Sequence, residues 1–137
     1  MAVLLDTDTA IALIRDRPAS VRHHYRNAHA SGYEVWLSSI SLFELWYGVN
    51  RSRHADENTE RLADFLSGPI TIADFNELDA ARAGQVRAEL AAAGTPIGPY
   101  DLLIAGQASR AGHTLVSANT REFKRVKELD VENWLTA

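Results

Sequence analysis

The stretch "VLLDTDTAIALIRDRP", residues 3–18, decides the fold. It opens with a short apolar run that ends at Asp6, and a helical pattern of apolar residues then continues until Pro18. An apolar run without alternation is typical of a strand buried on both faces, and proline stops a helix. The stretch therefore predicts a buried strand that leads directly into a helix.

The same order of strand and helix recurs along the rest of the chain. Further strands are predicted at residues 33–39, 69–74 and 113–119, with a short last strand at 130–134. Helices are predicted at residues 18–31, from Ser39, at 54–68, at 75–94 between a cap at Asn76 and a stop at Gly94, from Tyr100 or Asp101, and as a short turn or helix at 120–126. Strands that alternate with helices form parallel sheets covered on both faces, so we expect a single α/β domain over residues 1–137.

Composition limits the classes of function. The chain has 137 residues, of which 46% are hydrophobic and 23% are charged, and it contains no cysteine, which excludes disulfides and thiolate metal sites. No apolar run is long enough to span a bilayer, and the acidic N-terminus is unlike a signal peptide, so we expect a cytoplasmic protein without membrane contact. The net charge of −4 offers no general attraction to nucleic acid, which would have to rely on local arginines or bound cations.

Acidic side chains lie where predicted strands end and helices begin. Asp6 ends the first strand, Glu44 lies one to two turns into the helix after the second strand, and Asp101 lies at the start of a helix. Asn119 ends the fourth strand, and Glu122 follows it by three residues. Since ligands of parallel sheets bind beyond the carboxyl ends of the strands, we expect these residues to meet at one edge.

Glu44 is the most informative of these residues, because it is the only charged residue in "SSISLFELWYGVN", residues 38–50. A buried isolated charge is costly unless a cation or a hydrogen-bond partner compensates it. An ion pair with Arg87 or Arg121 is one alternative to a metal-ligating role. For Asp101, the alternative is simple capping of its helix.

A divalent cation would reconcile several carboxylates in one place. Two carboxylates about 4 Å apart repel each other by roughly 4 kcal/mol at an effective dielectric constant near 20. Oxygen ligands favour Mg²⁺ or Mn²⁺ over zinc, and the five histidines, without helical zinc-site spacing, are interpreted as surface residues. Because such an ion activates water and neutralises a phosphodiester, a nuclease is the favoured reaction class. The absence of a glycine-rich phosphate loop disfavours other phosphoryl transferases.

Other side chains near the predicted edge have two interpretations each. The hydroxyls of Thr7 and Ser39 either orient carboxylates or cap helices. The basic residues either contact phosphates or are solvated; they are Arg87, Arg121, Lys124 and Arg125. The aromatic residues Trp36, Phe43, Trp46 and Tyr47 belong to the core or face a partner. Tyr100 holds its turn or stacks on a base.

Four segments together resemble a known family. They are "LLDTD" (4–8), "SSISLFELWYGV" (38–49), "GTPIGPYDLLIAGQA" (94–108) and "LVSANTREFKRV" with "VENW" (115–126 and 131–134). In this order and combination they resemble the PIN-domain ribonucleases, specifically the VapC toxins of toxin–antitoxin pairs. The resemblance extends from residue 3 to about residue 134.

The resemblance implies a fold, a reaction and partners. The fold would be a three-layer α/β/α sandwich around a parallel sheet of four to five strands, in a homodimer. The enzyme would cleave structured RNA such as tRNA or rRNA with Mg²⁺, for which Mn²⁺ can substitute. A VapB antitoxin would block the site and would bind operator DNA, so contact of the toxin with DNA would be indirect. The acidic site would consist of Asp6, Glu44 and Asp101, with Asn119 or Glu122 in the fourth place.

Two residues depart from the family pattern. Asp8 stands where the family usually has asparagine, so it strengthens metal binding, disturbs the role of the amide, or caps the first helix. Asn119 stands where many PIN domains have an acid; its carbonyl oxygen can still bind a metal directly or through water, and Glu122 can supply the charge.

The leading hypothesis is a metal-dependent endoribonuclease toxin in which Asp6, Glu44, Asp101 and Glu122 hold the metal. One alternative is a catalytically silent binding module that acts only through its complex with antitoxin and operator. The other alternative is cleavage of DNA in place of RNA.

Overall fold

The computed structural model describes residues 1–136, in which strands and helices alternate as the sequence predicts. The strands are β1 (Ala2–Leu5), β2 (Glu34–Ser38), β3 (Thr71–Ala73), β4 (Thr114–Val116) and β5 (Val131–Glu132). The helices are α1 (Thr7–Arg15), α2 (Ala19–Ala30), α3 (Ser39–Asn50), α4 (Ala55–Leu66), α5 (Glu77–Ala92), α6 (Pro99–Ala111) and α7 (Thr120–Phe123). Among these helices, none is both long and apolar enough to cross a membrane.

The five strands form one parallel sheet in the order β3-β2-β1-β4-β5. The central strand β1 pairs on both sides, so that Leu5 lies opposite Leu37 of β2 and Val116 of β4. From β1 the chain moves outward to β2 and β3, and it then returns to the other side of β1 to form β4 and β5. The order therefore reverses between β1 and β4, which is where open α/β sheets place their ligand crevice.

Helices cover both faces of the sheet, which confirms the three-layer α/β/α sandwich. Val3 and Leu5 of β1 pack into one hydrophobic cluster with residues of α1, α2 and α4. Leu4, which points the other way, packs into a second cluster with residues of α5 and α6. The strands are apolar in succession because both of their faces are buried.

Helices α5 and α6 approach each other closely. A Cβ atom at Gly106 of α6 would lie 2.7 Å from the Cα of Ala83 of α5, so only glycine fits there. The helices are also joined by the fully buried Asp79, whose Oδ1 accepts a 2.7 Å hydrogen bond from Nε of Arg110. The second oxygen of Asp79 accepts from the backbone N–H of Asn76 and completes a capping box, which confirms Asn76 as the predicted cap.

The predicted start of α6 needs correction, and for three aromatic residues of α3 the structure excludes the core, one of their two interpretations. Helix α6 begins at Pro99 with Gly98 as its N-cap, one or two residues earlier than predicted, and Asp101 makes no capping hydrogen bond. On α3, Leu45 is buried, whereas Phe43, Trp46 and Tyr47 remain 52%, 38% and 59% exposed. The side of α3 that faces the sheet and α1 is already filled by aliphatic residues, which leaves the aromatic side chains outside the core.

Candidate functional site

Asp6 lies at the reversal point of the sheet, directly after β1. It is the N-cap of α1, where its Oδ1 accepts a 2.9 Å hydrogen bond from the backbone N–H of Thr9. The residue is only 5% exposed, and this burial raises the pKa of its carboxyl group, although hydrogen bonds from Ser117 and Thr9 oppose the shift. A buried acid at this position is therefore held in place by its neighbours and destabilised as an anion.

Glu44 lies in the second turn of α3 and is partly buried. Its Oε1 accepts a 2.7 Å hydrogen bond from the hydroxyl of Thr7, which lies 37 residues earlier in the sequence. This contact fixes the position of the carboxylate. Within residues 1–136 Glu44 forms no ion pair, which makes the alternative pairing with Arg87 or Arg121 wrong. Of the two roles considered for Thr7, the structure shows the orienting one.

Asp101 occupies the third position of α6 and is partly buried. Burial, and after it the nearby carboxylates, raise the pKa of its carboxyl group to about 6. In order of decreasing effect these are Asp6, Glu44, Glu122 and Asp8. The structure therefore brings the acid that follows β1 and those of α1, α3 and α7 together around Asp101 of α6.

Asn119 and Glu122 lie beyond the end of β4 and contact each other. The side-chain N–H of Asn119 donates a 2.7 Å hydrogen bond to Oε2 of Glu122. The backbone N–H of Asn119 donates to the hydroxyl of Ser117 at 2.9 Å, which fixes the turn. As placed, Asn119 orients the acid and does not itself supply a charge.

Two assignments of helix caps are wrong by one or two residues. Asp6 and not Asp8 caps α1; Asp8 is exposed in the first turn and acts on the cluster only through its charge. Ser38 and not Ser39 caps α3, while the hydroxyl of Ser39 accepts a hydrogen bond from the backbone N–H of Phe75. Neighbouring serines or aspartates have the same capping preference, so the sequence does not distinguish them.

Two partners of Asp6 were missed by the sequence reasoning. Ser117 is fully buried at the end of β4, and Thr9 is fully buried in the first turn of α1. Thr9 could have been found from its spacing, because an N-cap aspartate accepts from the residue three positions later. Ser117 carries no comparable local signal, since its contact depends on the pairing of β1 with β4.

The basic and histidine residues lie outside the acidic cluster. Arg121 and Lys124 are exposed, and Arg125 donates a 3.2 Å hydrogen bond to the carbonyl of Pro96, in the loop that leads to α6. Arg87 lines a cavity of about 390 Å³ beside that loop. Of the five histidines expected at the surface, His23 and His54 are exposed, whereas His24, His29 and His113 are half-buried against Trp134, Tyr25 and Trp36.

The chemistry of the cluster fits a hard divalent cation. Four carboxylates raise the pKa of Asp101, and among residues 1–136 none of the five acids is paired with a lysine, arginine or histidine. In the same part of the chain, no three Asp, Glu or His side chains lie close enough to ligate one ion directly. An ion at this cluster would therefore be held largely through water, as Mg²⁺ usually is, with direct contact to only one or two carboxylates.

Comparison with known proteins finds a matching family, similar sequences and similar structures. The PIN domain family matches residues 3–129 of the chain. The chain is 40% identical over 131 residues to the tRNA(fMet)-specific endonuclease VapC of Shigella flexneri, with 96% of each chain covered. It is 39% identical over 132 residues to ribonuclease VapC2 of Haemophilus influenzae strain Rd, with 96% of this chain and 97% of that protein covered. The crystal structure of VapBC2 from Rickettsia felis bound to a promoter DNA fragment superimposes with a TM-score of 0.91 at 37% identity, covering 98% of this chain and 99% of that chain.

Proposed function

The chain belongs to the PIN-domain family and, within it, to the VapC ribonucleases, and from that premise we propose that it is a Mg²⁺-dependent endoribonuclease toxin that cleaves structured RNA. The observation that carries the proposal is the convergence of unpaired carboxylates around Asp101 at the reversal point of the sheet. Asp6 and Glu44 accept hydrogen bonds from Thr9 and Thr7, but within residues 1–136 no basic side chain offsets the repulsion between the carboxylates, which a divalent cation would relieve.

The proposed mechanism assigns a task to each residue of the cluster. Asp6, Glu44, Asp101 and Glu122 would hold the cation, directly or through water. When bound, a divalent cation lowers the pKa of water and neutralises charge on a phosphodiester. Thr7, Ser117 and Asn119 keep three of these carboxylates oriented through their hydrogen bonds. Oriented ligands lose less conformational freedom when they bind an ion.

The proposed substrate is a transfer RNA or another folded RNA. This part of the proposal is supported by similarity to proteins named as tRNA(fMet)-specific endonucleases, which share about two fifths of the sequence over nearly the full length. The cation would also offset the repulsion between the acidic cluster and a polyanion, in a chain whose net charge is −4.

The experiment is cleavage of total cellular RNA by the purified protein. We expect cleavage with Mg²⁺ or Mn²⁺, none in EDTA, and a loss of at least about tenfold in Asp6→Asn and Asp101→Asn. Asp56→Asn, which changes an exposed acid on α4, should cleave like wild type. Equal cleavage with and without EDTA would refute the metal-dependent mechanism. DNA of similar size, offered in the same preparation, tests the alternative substrate.

A silent binding module is the second candidate. It is favoured by the absence of any three directly ligating acidic side chains within residues 1–136 and by the use of Asn119 to bind Glu122. Induced expression distinguishes the candidates. Growth arrest that Asp101→Asn relieves supports the enzyme, whereas a culture that grows normally with the wild-type protein supports the module.

The partner proposed for this chain is a VapB-type antitoxin, because its structural neighbours are VapBC complexes, two of them bound to DNA. A groove of about 500 Å³ between α1, α3 and α4 is a suitable docking site. Its floor is apolar, Arg15, Arg51 and Arg61 also line it, and Glu44 of the acidic cluster lies in its wall. We assign to it a segment of the antitoxin that carries apolar residues and carboxylates, which would cover Glu44 when it binds.

A further inference from the structure

A cavity of about 390 Å³ lies between the end of α5 and the start of α6. Within residues 1–136, Arg87 is the one charged residue among those that line it, and the other lining residues are apolar. Leu90 of α5 and Leu102 of α6 belong to the second hydrophobic cluster, and Ile97 of the connecting loop packs against it, so packing fixes these walls. We call this site the α5–α6 cavity.

The α5–α6 cavity adjoins the acidic cluster. A Cβ atom at Gly98, in the loop that forms part of the wall, would lie 3.7 Å from Oδ2 of Asp101, so this carboxylate lies beside the backbone of the loop. From α7, the guanidinium of Arg125 donates a 3.2 Å hydrogen bond to the carbonyl of Pro96. The backbone N–H of Arg125 donates to the carbonyl of Glu122. Residues of α6 and α7 therefore connect the cavity to the carboxylates of the cluster.

Two arginines supply positive charge beside the cavity. Arg87 is exposed, and within residues 1–136 it forms no ion pair. Arg125 is half-buried, and its hydrogen bond to a carbonyl orients the guanidinium without neutralising its charge. A guanidinium binds phosphate oxygens through strong charge-assisted hydrogen bonds. An apolar cavity flanked by two such groups matches the chemistry of a nucleotide, which has a flat base and an anionic phosphate.

The size of the cavity favours a nucleotide over a helix of a protein partner. Its volume lies within the range of about 300–1,000 Å³ that is typical of sites for small ligands. An α-helix with a diameter of about 10 Å fills about 420 Å³ in each turn. The cavity therefore has no room for even one complete turn.

The cavity is separate from the large exposed apolar side chains of the helices. None of these side chains lines it; they are Phe43, Trp46 and Tyr47 of α3, Leu78 of α5 and Tyr100 of α6. Leu78 and Arg87 are nine residues apart on α5, which at 100° per residue places them on opposite sides of the helix. A protein partner could therefore cover those apolar side chains without filling the cavity.

We propose that the α5–α6 cavity receives one base of the RNA from a nucleotide close to the cleaved bond, with Arg87 and Arg125 against the phosphates that flank it. This inference rests on the proposed ribonuclease function. A base that is stacked and paired in a duplex cannot enter the cavity until it is turned out of the stack. The proposal therefore restricts cleavage to bonds beside a base that is unpaired or easily unpaired.

The test of the cavity compares a single-stranded oligoribonucleotide with an abasic strand of the same length. Both strands carry a fluorescent label, and their binding is followed by anisotropy in EDTA, which prevents cation-dependent cleavage. We expect the wild-type protein to bind the strand with bases at least about fivefold more tightly. Ala91→Leu, which fills the cavity from an exposed helical position, should remove most of this difference. Ala80→Leu, at another exposed position of α5 that does not line the cavity, should bind like wild type.

The test of the phosphate contact is the dependence of binding on salt. Arg87→Met keeps the apolar stem of the side chain and removes its charge, so it should weaken the binding of both strands. The slope of log affinity against log salt concentration should decrease by about 0.7, which corresponds to one phosphate contact on a single strand. Arg87→Lys should keep the wild-type slope. So should Arg26→Met, which removes an exposed arginine of α2.

Several results would overturn the proposal. They are equal affinity of the wild-type protein for both strands, no binding of either strand, a preference for bases that persists in Ala91→Leu, and an unchanged salt slope in Arg87→Met. A wild-type dimer that Ala91→Leu converts to monomers in light scattering would also overturn it, since a second copy would then occupy the cavity.

Turnover separates this proposal from the proposed function. In the cleavage assay Ala91→Leu should raise KM by about the factor by which it weakens binding. Because binding is measured without turnover, base-dependent binding with no cleavage of any RNA would refute the proposed function and not the role of the cavity. Cleavage with a wild-type KM in Ala91→Leu would refute the role of the cavity and not the proposed function.

Discussion

The repulsion between the carboxylates of the site is most evident in the pKa of Asp101. Its pKa is raised from 3.8 to about 6, first by burial and then by four neighbouring carboxylates. An acid with a higher pKa in the folded than in the unfolded chain binds its proton more tightly when folded. Its ionised form therefore opposes folding above pH 6, and this destabilisation fades as the pH falls from about 6 towards 3.8.

The first prediction concerns stability and pH. In EDTA at about pH 7.5, Asp101→Asn should unfold at a higher temperature than wild type, because the substitution removes a repelled charge. The difference should decrease steadily as the pH is lowered from 6 to 4. Thermal unfolding followed by circular dichroism measures it, with Asp56→Asn as a control for the loss of a remote acid. A difference that grows towards acidic pH would contradict the account.

The second prediction concerns the hydroxyl of Thr7. Thr7→Val keeps the shape of the side chain but leaves Oε1 of Glu44 without its 2.7 Å partner. Loss of such an orienting contact typically costs about 10- to 100-fold in metal affinity or activity. We expect the Mg²⁺ concentration for half-maximal RNA cleavage to rise by about tenfold, whereas Thr7→Ser should restore the wild-type value. Equal Mg²⁺ dependence of all three proteins would show that Thr7 does not orient Glu44.

At the level of residues, the sequence predicts which acids converge but not how each is held. The convergence of Asp6, Glu44 and Asp101 follows from the rule that parallel strands end at one edge. Whether Asp6 or Asp8 caps the helix depends on where the chain turns after β1. The sequence does not reveal this, because the two aspartates are only two residues apart and have the same capping preference. The link of Ser117 to Asp6 depends on tertiary pairing of strands.

At the level of elements, the contact between α5 and α6 fixes the position of Asp101. Gly106 lies against Ala83 without room for a methyl group, so Gly106→Ala forces the helices apart. We expect a loss of about 1–3 kcal/mol in the free energy of unfolding, measured with urea. Gly84→Ala on the open side of α5, where nothing lies within 4 Å, should instead gain about 0.5–1 kcal/mol. Gly106→Ala with wild-type stability would mean that the helices do not pack as described.

The groove between α1, α3 and α4 gives the fourth prediction. A side chain at Gly48, in the wall of the groove, would meet no atom within 4 Å, so Gly48→Leu fits the isolated chain. The leucine would occupy the space assigned to the antitoxin. We expect at least about tenfold weaker binding of the VapB partner by calorimetry, with RNA cleavage still present. Gly84→Leu is the matched control, and unchanged antitoxin affinity in Gly48→Leu would place the partner elsewhere.

The elements themselves follow from the sequence with small errors at their ends. Apolar runs, Asn76 and Pro18 mark strands and helix boundaries that depend on local physics alone. The exposure of Phe43, Trp46 and Tyr47 does not, because it is decided by which side of α3 faces the sheet. Aliphatic residues such as Leu45 fill that side. The sequence does not distinguish the two sides of α3, because apolar residues occur on both.

At the level of the whole molecule, the order β3-β2-β1-β4-β5 places the reversal point under the acidic cluster. The alternation of strands and helices predicts a parallel sheet covered on both faces, and the resemblance to PIN domains supplies the three-layer sandwich. Local sequence patterns do not predict the order of the strands, because that order depends on how the connections cross the sheet. A net charge of −4 and a cluster of carboxylates repel a polyanion, and the proposed cation would offset part of this repulsion.

The most direct measurement of the central claim is anomalous diffraction from crystals grown or soaked with MnCl₂. The account predicts a manganese peak beside the carboxylates of Asp6 and Asp101, with Glu44 or Glu122 in contact directly or through water. The claim is contradicted if manganese is bound only elsewhere, or if arginine side chains lie among these carboxylates where the ion should be.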